Sequence, residues 1–235
     1  SGHHNKNNFP NLVDKYIDEY LDGISGYRDL ETERSKFLVS RISRALKAVV
    51  IQLSREFAQS GFEPVACELK IGNGGDIPEL KIPFDKGNIN IIGSIDRVDE
   101  YNGYIRVIDY KTGTKSFKLP DIIFGLNLQM LIYLYALVRE DGQNDEKAAG
   151  ILYMPSKRDL SDSGMAMNGL IRSEKDIVSA MDKELQGEFV PKYSVTKSGA
   201  LDKRCTSFVS TEDFTEIFDY IETLMKRTGD GILSG

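Results

Sequence analysis

Residues 91–111, IIGSIDRVDEYNGYIRVIDYK, contain two runs of strand-forming residues joined by Asn102-Gly103. Asn-Gly is the strongest short-range signal for a two-residue hairpin, because both turn positions take positive φ. With those two residues as the loop, Tyr101 pairs with Tyr104 and every cross-strand pair has numbers that sum to 205. Val98 then faces Val107, Asp99 faces Arg106, and Asp96 faces Asp109. Alternate residues of a strand point to opposite faces. Lys111 therefore shares a face with Asp109, Val107 and Val98, while Asp99 and Arg106 read as a structural pair on the other face.

Directly opposed carboxylates have Cβ atoms about 4.5–5.5 Å apart and repel unless a cation stands between them. Two acids and an ammonium gathered at the end of an apolar stripe suit one kind of chemistry. Carboxylate oxygens bind Mg²⁺ or Mn²⁺. Such an ion positions a scissile phosphate, acidifies a bound water and offsets developing charge. A nearby lysine orients or deprotonates that water, or stabilises the charge. The set points to phosphodiester hydrolysis, although Asp-x-Lys alone is a weak signal that a surface counter-ion pair would also produce.

The rest of the chain frames this hairpin with helices. Residues 9–22 and 33–59 carry apolar positions at helical spacing, and Gly61 stands where a helix C-terminus wants it. Segments near 63–71, 79–84, 89–99 and 104–111 read as strands separated by turn signals. A helix is expected from Pro120 to Arg139, a strand over 148–154, and helices over 173–186 and 211–228. The pattern predicts an α/β sandwich: a mixed central sheet flanked by helices, with an N-terminal helical segment. One domain is expected, divided into a helical segment (1–60) and a core (61–235).

Composition narrows the chemistry. His3 and His4 are the only histidines and sit in a polar terminus, so catalysis in the body of the chain runs without a histidine base. Cys67 and Cys205 are the only cysteines, with no CxxC spacing for a zinc or iron–sulfur site. A formal net charge of -6 argues against a stand-alone DNA binder held by bulk electrostatics. It accords with metal-holding acids and with grip supplied by another protein. Lys192 to Arg204 reads as a solvated loop or a phosphate-contacting one. No signal peptide or membrane span is apparent, which makes a cytoplasmic location the expectation.

GSIDRVD, then VIDYKTG, then GLNLQMLIYLYAL, in that order and spacing, resemble the PD-(D/E)XK nuclease superfamily, and more narrowly its RecB- and AddB-type nuclease domains. The likeness is best over about residues 62–140. It implies a restriction-endonuclease-like core and Mg²⁺-dependent hydrolysis of DNA, with Mn²⁺ able to substitute. By the resemblance, Asp96 and Asp109 hold metal with the main-chain carbonyl of Tyr110, and Lys111 is the catalytic lysine. Gln129 and Tyr133, at i and i+4 on one helical face, touch the lysine, the metal water or the DNA. Glu68 matches an acidic position that aids the metal or pairs with a lysine. The implied setting is a helicase–nuclease with an AddA-like partner subunit that feeds a DNA strand during double-strand-break repair and recombination. A stand-alone RecB-like exonuclease, and a degenerate fold kept as a DNA-binding scaffold, are the alternatives.

Three positions depart from the family pattern. Ile95 stands where the superfamily has a proline before the first aspartate. The histidine that RecB-like nucleases carry ahead of the core is missing from the helices. Cys67 and Cys205 do not match the four-cysteine iron–sulfur spacing of the AddB group, so such a cluster is expected only in a longer parent. These departures together suggest a piece of a longer polypeptide.

Overall fold

The computed structural model describes residues 9–24, 32–111, 117–139, 142, 144–155, 166–184, 187, 189–191, 193–194 and 207–234. Two compact units meet in sequence between Ala58 and Gln59. No helix among the described residues is long and apolar enough to cross a membrane.

The first unit is built on α1 (Phe9–Asp22) and α2 (Glu33–Gln59), both where the periodicity predicts them. The start of α2 is fixed by a reciprocal cap: the Ser35 N–H donates to Thr32 Oγ1 at 3.2 Å, and the Thr32 N–H donates to Ser35 Oγ at 2.9 Å. Asp14 of α1 accepts Ser43 Oγ at 2.8 Å and Lys47 Nζ at 2.6 Å from α2. Those two donors, Lys47 first, hold the exposed Asp14 carboxyl below its usual pKa.

The second unit carries the strands β1 (Glu63–Ile71), β2 (Leu80–Phe84), β3 (Gly87–Ile91), β4 (Gly93–Tyr101), β5 (Tyr104–Lys111), β6 (Ala148–Pro155), β7 (Asn168–Arg172) and β8 (Phe208–Val209). β2 and β3 form a hairpin of their own. The others make a mixed sheet in the order β1-β4-β5-β6-β7-β8, in which β5–β6 and β7–β8 are parallel. A central strand covered on both faces needs a continuous apolar sequence. In β6, AAGILYMP, all residues but the last are buried. The helices of this unit are α3 (Gln129–Arg139), α4 (Lys175–Met181) and α5 (Thr211–Ser234). Leu131, Leu134 and Tyr135 of α3 and Phe214, Phe218 and Ile221 of α5 join Val98, Val107 and Ile151 of the sheet in one core. Each such apolar side chain stabilises the fold by roughly 1.5–3 kcal/mol when fully buried. The Tyr135 and Phe218 rings meet edge to face at 5.7 Å.

Several expectations are corrected. The helix expected over Pro120–Arg139 is two pieces, a 3-10 turn at Leu119–Phe124 and α3 from Gln129. Gly125 (φ 71) and Asn127 (φ 58) take left-handed conformations that no helix continues through. The strand expected over 89–99 breaks at Ile92 into β3 and β4, which belong to different sheets. The helix expected over 173–186 shortens to the seven residues of α4. Asp182 ends it by leaving the helical conformation (φ -145, ψ 87), and its carboxylate accepts the Gly187 N–H at 2.6 Å. Helix α5 continues beyond its expected end at Thr228, to Ser234. The short strands β7 and β8 were not expected.

Candidate active site

The hairpin has the register that its turn dictates. Asn102 (φ 48) and Gly103 (φ 84) both adopt positive φ, as a primed turn requires. Tyr101 pairs with Tyr104, Asp99 with Arg106, Val98 with Val107 and Arg97 with Ile108. The ladder between β4 and β5 ends at that last pair, one step short of Asp96 and Asp109. Beyond it β5 stays paired only with β6, Asp109 beside Tyr153 and Lys111 beside Pro155.

At this open end Asp96 turns to the backbone of β5. Its Oδ2 accepts the Tyr110 N–H at 2.9 Å, and its Oδ1 has no partner among the described residues. Lys111 takes Asp109 as its counter-ion: Nζ donates to Oδ1 at 2.9 Å and lies 2.6 Å from Oδ2. Asp109 is only 9% exposed. Its Oδ2 is buried without an aligned hydrogen bond among the described residues, and the Lys111 ammonium 2.6 Å away offsets its charge. Asp109, with a buried oxygen that has spare acceptor capacity, and the half-buried Asp96, bonded to the N–H of the next residue, are oxygen donors of the type a hard divalent cation takes.

Glu68 occupies a distinctive place. It is exposed, and it lies between the register pairs Cys67–Arg97 and Leu69–Ile95, at the position opposite Asp96. Its φ of 54 is a left-handed conformation inside a strand, a strain of about 1–2 kcal/mol for a non-glycine residue. No group of three or more His, Cys, Asp or Glu side chains converges among the described residues, so Glu68 is not gathered with Asp96 and Asp109 into one set.

Gln129 and Tyr133 meet on α3, with Gln129 Nε2 3.2 Å from Tyr133 Oη. Gln129 is exposed and Tyr133 half-buried. Tyr133 packs on the first residue of β4: a Cβ built on Gly93 would stand 2.7 and 2.8 Å from two carbons of its ring. That brings α3 and β4 together immediately before Asp96. The sequence reading gave Gly93 no role, although a glycine inside a strand signals close approach of another group.

Two more neighbours were missed. Tyr153 is 2% exposed beside Asp109. Burial, and then the charge of Asp109, push its phenol up to about 12, so it is neutral at physiological pH. Behind the site, the pair predicted between Asp99 and Arg106 proves to be a buried trio. Arg106 Nε donates to Asp99 Oδ2 at 2.9 Å, Arg97 Nη2 donates to the same oxygen at 2.9 Å, and Arg97 Nη1 donates to Tyr110 Oη at 3.1 Å. Cys67 is exposed on β1. His3, His4, Cys205 and most of the loop from Lys192 to Arg204 lie outside the described residues.

A family model described as the PD-(D/E)XK nuclease superfamily matches residues 3–233. The chain is 33% identical over 246 residues to the B subunit of the ATP-dependent helicase/deoxyribonuclease of Clostridioides difficile (strain 630), covering 93% of this chain and 21% of that protein. It is 31% identical over 247 residues to the protein of the same name from Thermoanaerobacter sp. (strain X514), covering 95% of this chain and 21% of that one. The like-named protein of Acetivibrio thermocellus is 32% identical over 248 residues, covering 95% and 22%. The chain thus spans about a fifth of the length of the curated relatives it matches. A family model that matches nearly the whole chain, residues 3–233, shows that this chain belongs to the PD-(D/E)XK nuclease superfamily.

Proposed function

We propose that this chain is a Mg²⁺-dependent deoxyribonuclease domain, with Mn²⁺ able to replace Mg²⁺, acting as the exonuclease of an AddB-type helicase–nuclease subunit. The observation that carries the reading is the buried Asp109 carboxylate, paired with Lys111 at 2.6 Å, together with Asp96, which holds the Tyr110 N–H with one oxygen and has no partner among the described residues for the other. In this reading residues 1–235 act as one nuclease domain, with 1–60 as its helical segment and 61–235 as its core.

Asp96, Asp109 and the Tyr110 carbonyl would hold the metal, with Glu68 as a further acid; its strained backbone opposite Asp96 supports a functional role. When bound, Mg²⁺ supplies Lewis acidity to the scissile phosphate and acidifies water. Lys111 orients or deprotonates the attacking water, or stabilises charge on the phosphate. Gln129 and Tyr133 shape the site from α3. Hydrolysis proceeds by direct attack of water, without a covalent enzyme intermediate.

The names of the relatives, B subunits of an ATP-dependent helicase/deoxyribonuclease, support a DNA substrate, a helicase and a further subunit; in this reading that subunit is AddA-like, and the work is double-strand-break repair and recombination in the cytoplasm. A partner that grips the polyanion also reconciles a DNA substrate with a net charge of -6. An iron–sulfur cluster would belong to a longer parent, not to these residues.

The test is cutting of end-labelled single-stranded DNA and of the same sequence as RNA, in Mg²⁺, Mn²⁺ and EDTA. The reading expects DNA to be shortened from an end in either metal and left whole in EDTA. Cutting that persists in EDTA, or RNA cut as fast as DNA, would overturn it.

A further inference from the structure

Tyr110 stands between the two faces of the hairpin. Its neighbours in sequence, Asp109 and Lys111, point to the proposed metal-binding face, and its own side chain points to the other. On that other face its hydroxyl accepts Arg97 Nη1 at 3.1 Å, and the Arg97 guanidinium carbon lies 5.9 Å from its ring centroid. Arg97 is itself locked. It is 1% exposed, its Nε lies 2.9 Å from Asp99 Oδ1, its Nη2 donates to Asp99 Oδ2 at 2.9 Å, and Asp99 also takes Arg106 Nη2 at 2.7 Å. The guanidinium of Arg106 rests over the ring of Phe62 at 4.8 Å.

The β4–β5 ladder ends at Arg97–Ile108, so the backbone hydrogen bonds of the hairpin do not hold Tyr110 to β4. Two side-chain contacts do so, one on each face: Asp96 Oδ2 on the Tyr110 N–H and Arg97 on the Tyr110 hydroxyl. Peptide groups are rigid planes, so the backbone at 109–111 can turn only about φ and ψ. A tether on the Tyr110 side chain restrains that turn, and with it the directions of Asp109 and Lys111. We infer that Arg97 is a positioning residue for the metal-binding end of the hairpin, acting through the Tyr110 hydroxyl from the opposite face of the sheet. This rests on the metal-site reading of the previous section.

The experiment titrates the full chain with Mn²⁺ alone, following free Mn²⁺ by electron paramagnetic resonance, with thermal melts by circular dichroism alongside. Tyr110→Phe keeps the ring and the backbone and removes only the tether. It should weaken Mn²⁺ binding about tenfold, the low end of what loss of a group holding a ligand from behind costs. Tyr193→Phe, which removes another half-buried tyrosine hydroxyl bonded to a carboxylate, Asp182 at 3.0 Å, should leave the affinity unchanged. Arg97→Lys should weaken binding as Tyr110→Phe does, and the double variant should be no worse than either single one. If Arg97→Lys fails to fold, Tyr110→Phe alone decides. Wild-type affinity in Tyr110→Phe, with binding lost in Asp109→Ala, would overturn the positioning role and leave the metal site standing. Wild-type affinity in Asp109→Ala would overturn the metal site and this inference with it.

Discussion

The ring of Tyr133 lies so close over the backbone of Gly93 that a Cβ there would stand 2.7 Å from one of its carbons. Only glycine is small enough to let α3 sit against the start of β4 in this way. Gly93→Ala should push Tyr133, and Gln129 with it, away from Asp96. We expect a stability loss of about 1–3 kcal/mol in urea unfolding, as for other overpacked sites. Cleavage should fall by about a hundredfold, the usual consequence of misplacing an active-site group by an ångström. Gly93→Ala with Tyr133→Ala should regain stability but not cutting. Full activity in Gly93→Ala would show that the contact does not matter to the site.

Asp99 is fully buried and is the common acceptor of Arg97 and Arg106. Removing one member of a buried ionic set leaves uncompensated charge out of water, at a cost of about 3–5 kcal/mol. Asp99→Ala should therefore shift the urea midpoint far more than Glu33→Ala, whose partner Lys36 is on the exposed surface of α2. Equal midpoints for the two variants would mean that the trio contributes nothing to the fold.

Tyr135 and Tyr153 both have phenols pushed up to about 12, by burial first in each case. The folded chain then keeps two protons that the unfolded chain releases near pH 10. Their contribution to stability is complete below pH 10 and is lost as pH rises from 10 towards 12. Urea midpoints should fall across that window, and Tyr153→Phe should make the fall shallower. Ultraviolet titration showing both phenols ionising at pH 10 in the folded chain would contradict this.

Much of this fold was legible because local and long-range signals coincide. Asn102-Gly103 sets a register that places Asp99 against Arg106, and 3.6-residue spacing predicts α1 and α2 end to end. What escaped was decided by single residues or by distant packing. Gly125 and Asn127 split an apparent helix through backbone conformation, which the apolar spacing of 120–139 does not report. The strand Asn168–Arg172 forms because Leu170 and Ile171 find partners on β6, far away in sequence. At the site, alternation along β5 foretold that Asp109 and Lys111 share a face. It did not foretell that the β4–β5 ladder stops at Arg97–Ile108, leaving Asp96 to bind the Tyr110 N–H instead of facing Asp109. Gly93, Arg97 and Tyr153 became visible only once α3, the rear face of the hairpin and β6 were in place.

The most direct test of the metal-site assignment is single-turnover cleavage of a fluorescent single-stranded DNA in saturating Mn²⁺. Wild type is compared with Asp109→Ala and Lys111→Ala, alongside Mn²⁺ binding to each. If the hairpin acids hold the metal, Asp109→Ala loses both metal and cutting. Lys111→Ala should keep the metal and lose cutting by about a hundredfold or more, as expected for a general acid–base or charge-stabilising group. Cutting by Asp109→Ala at the wild-type rate would contradict the assignment.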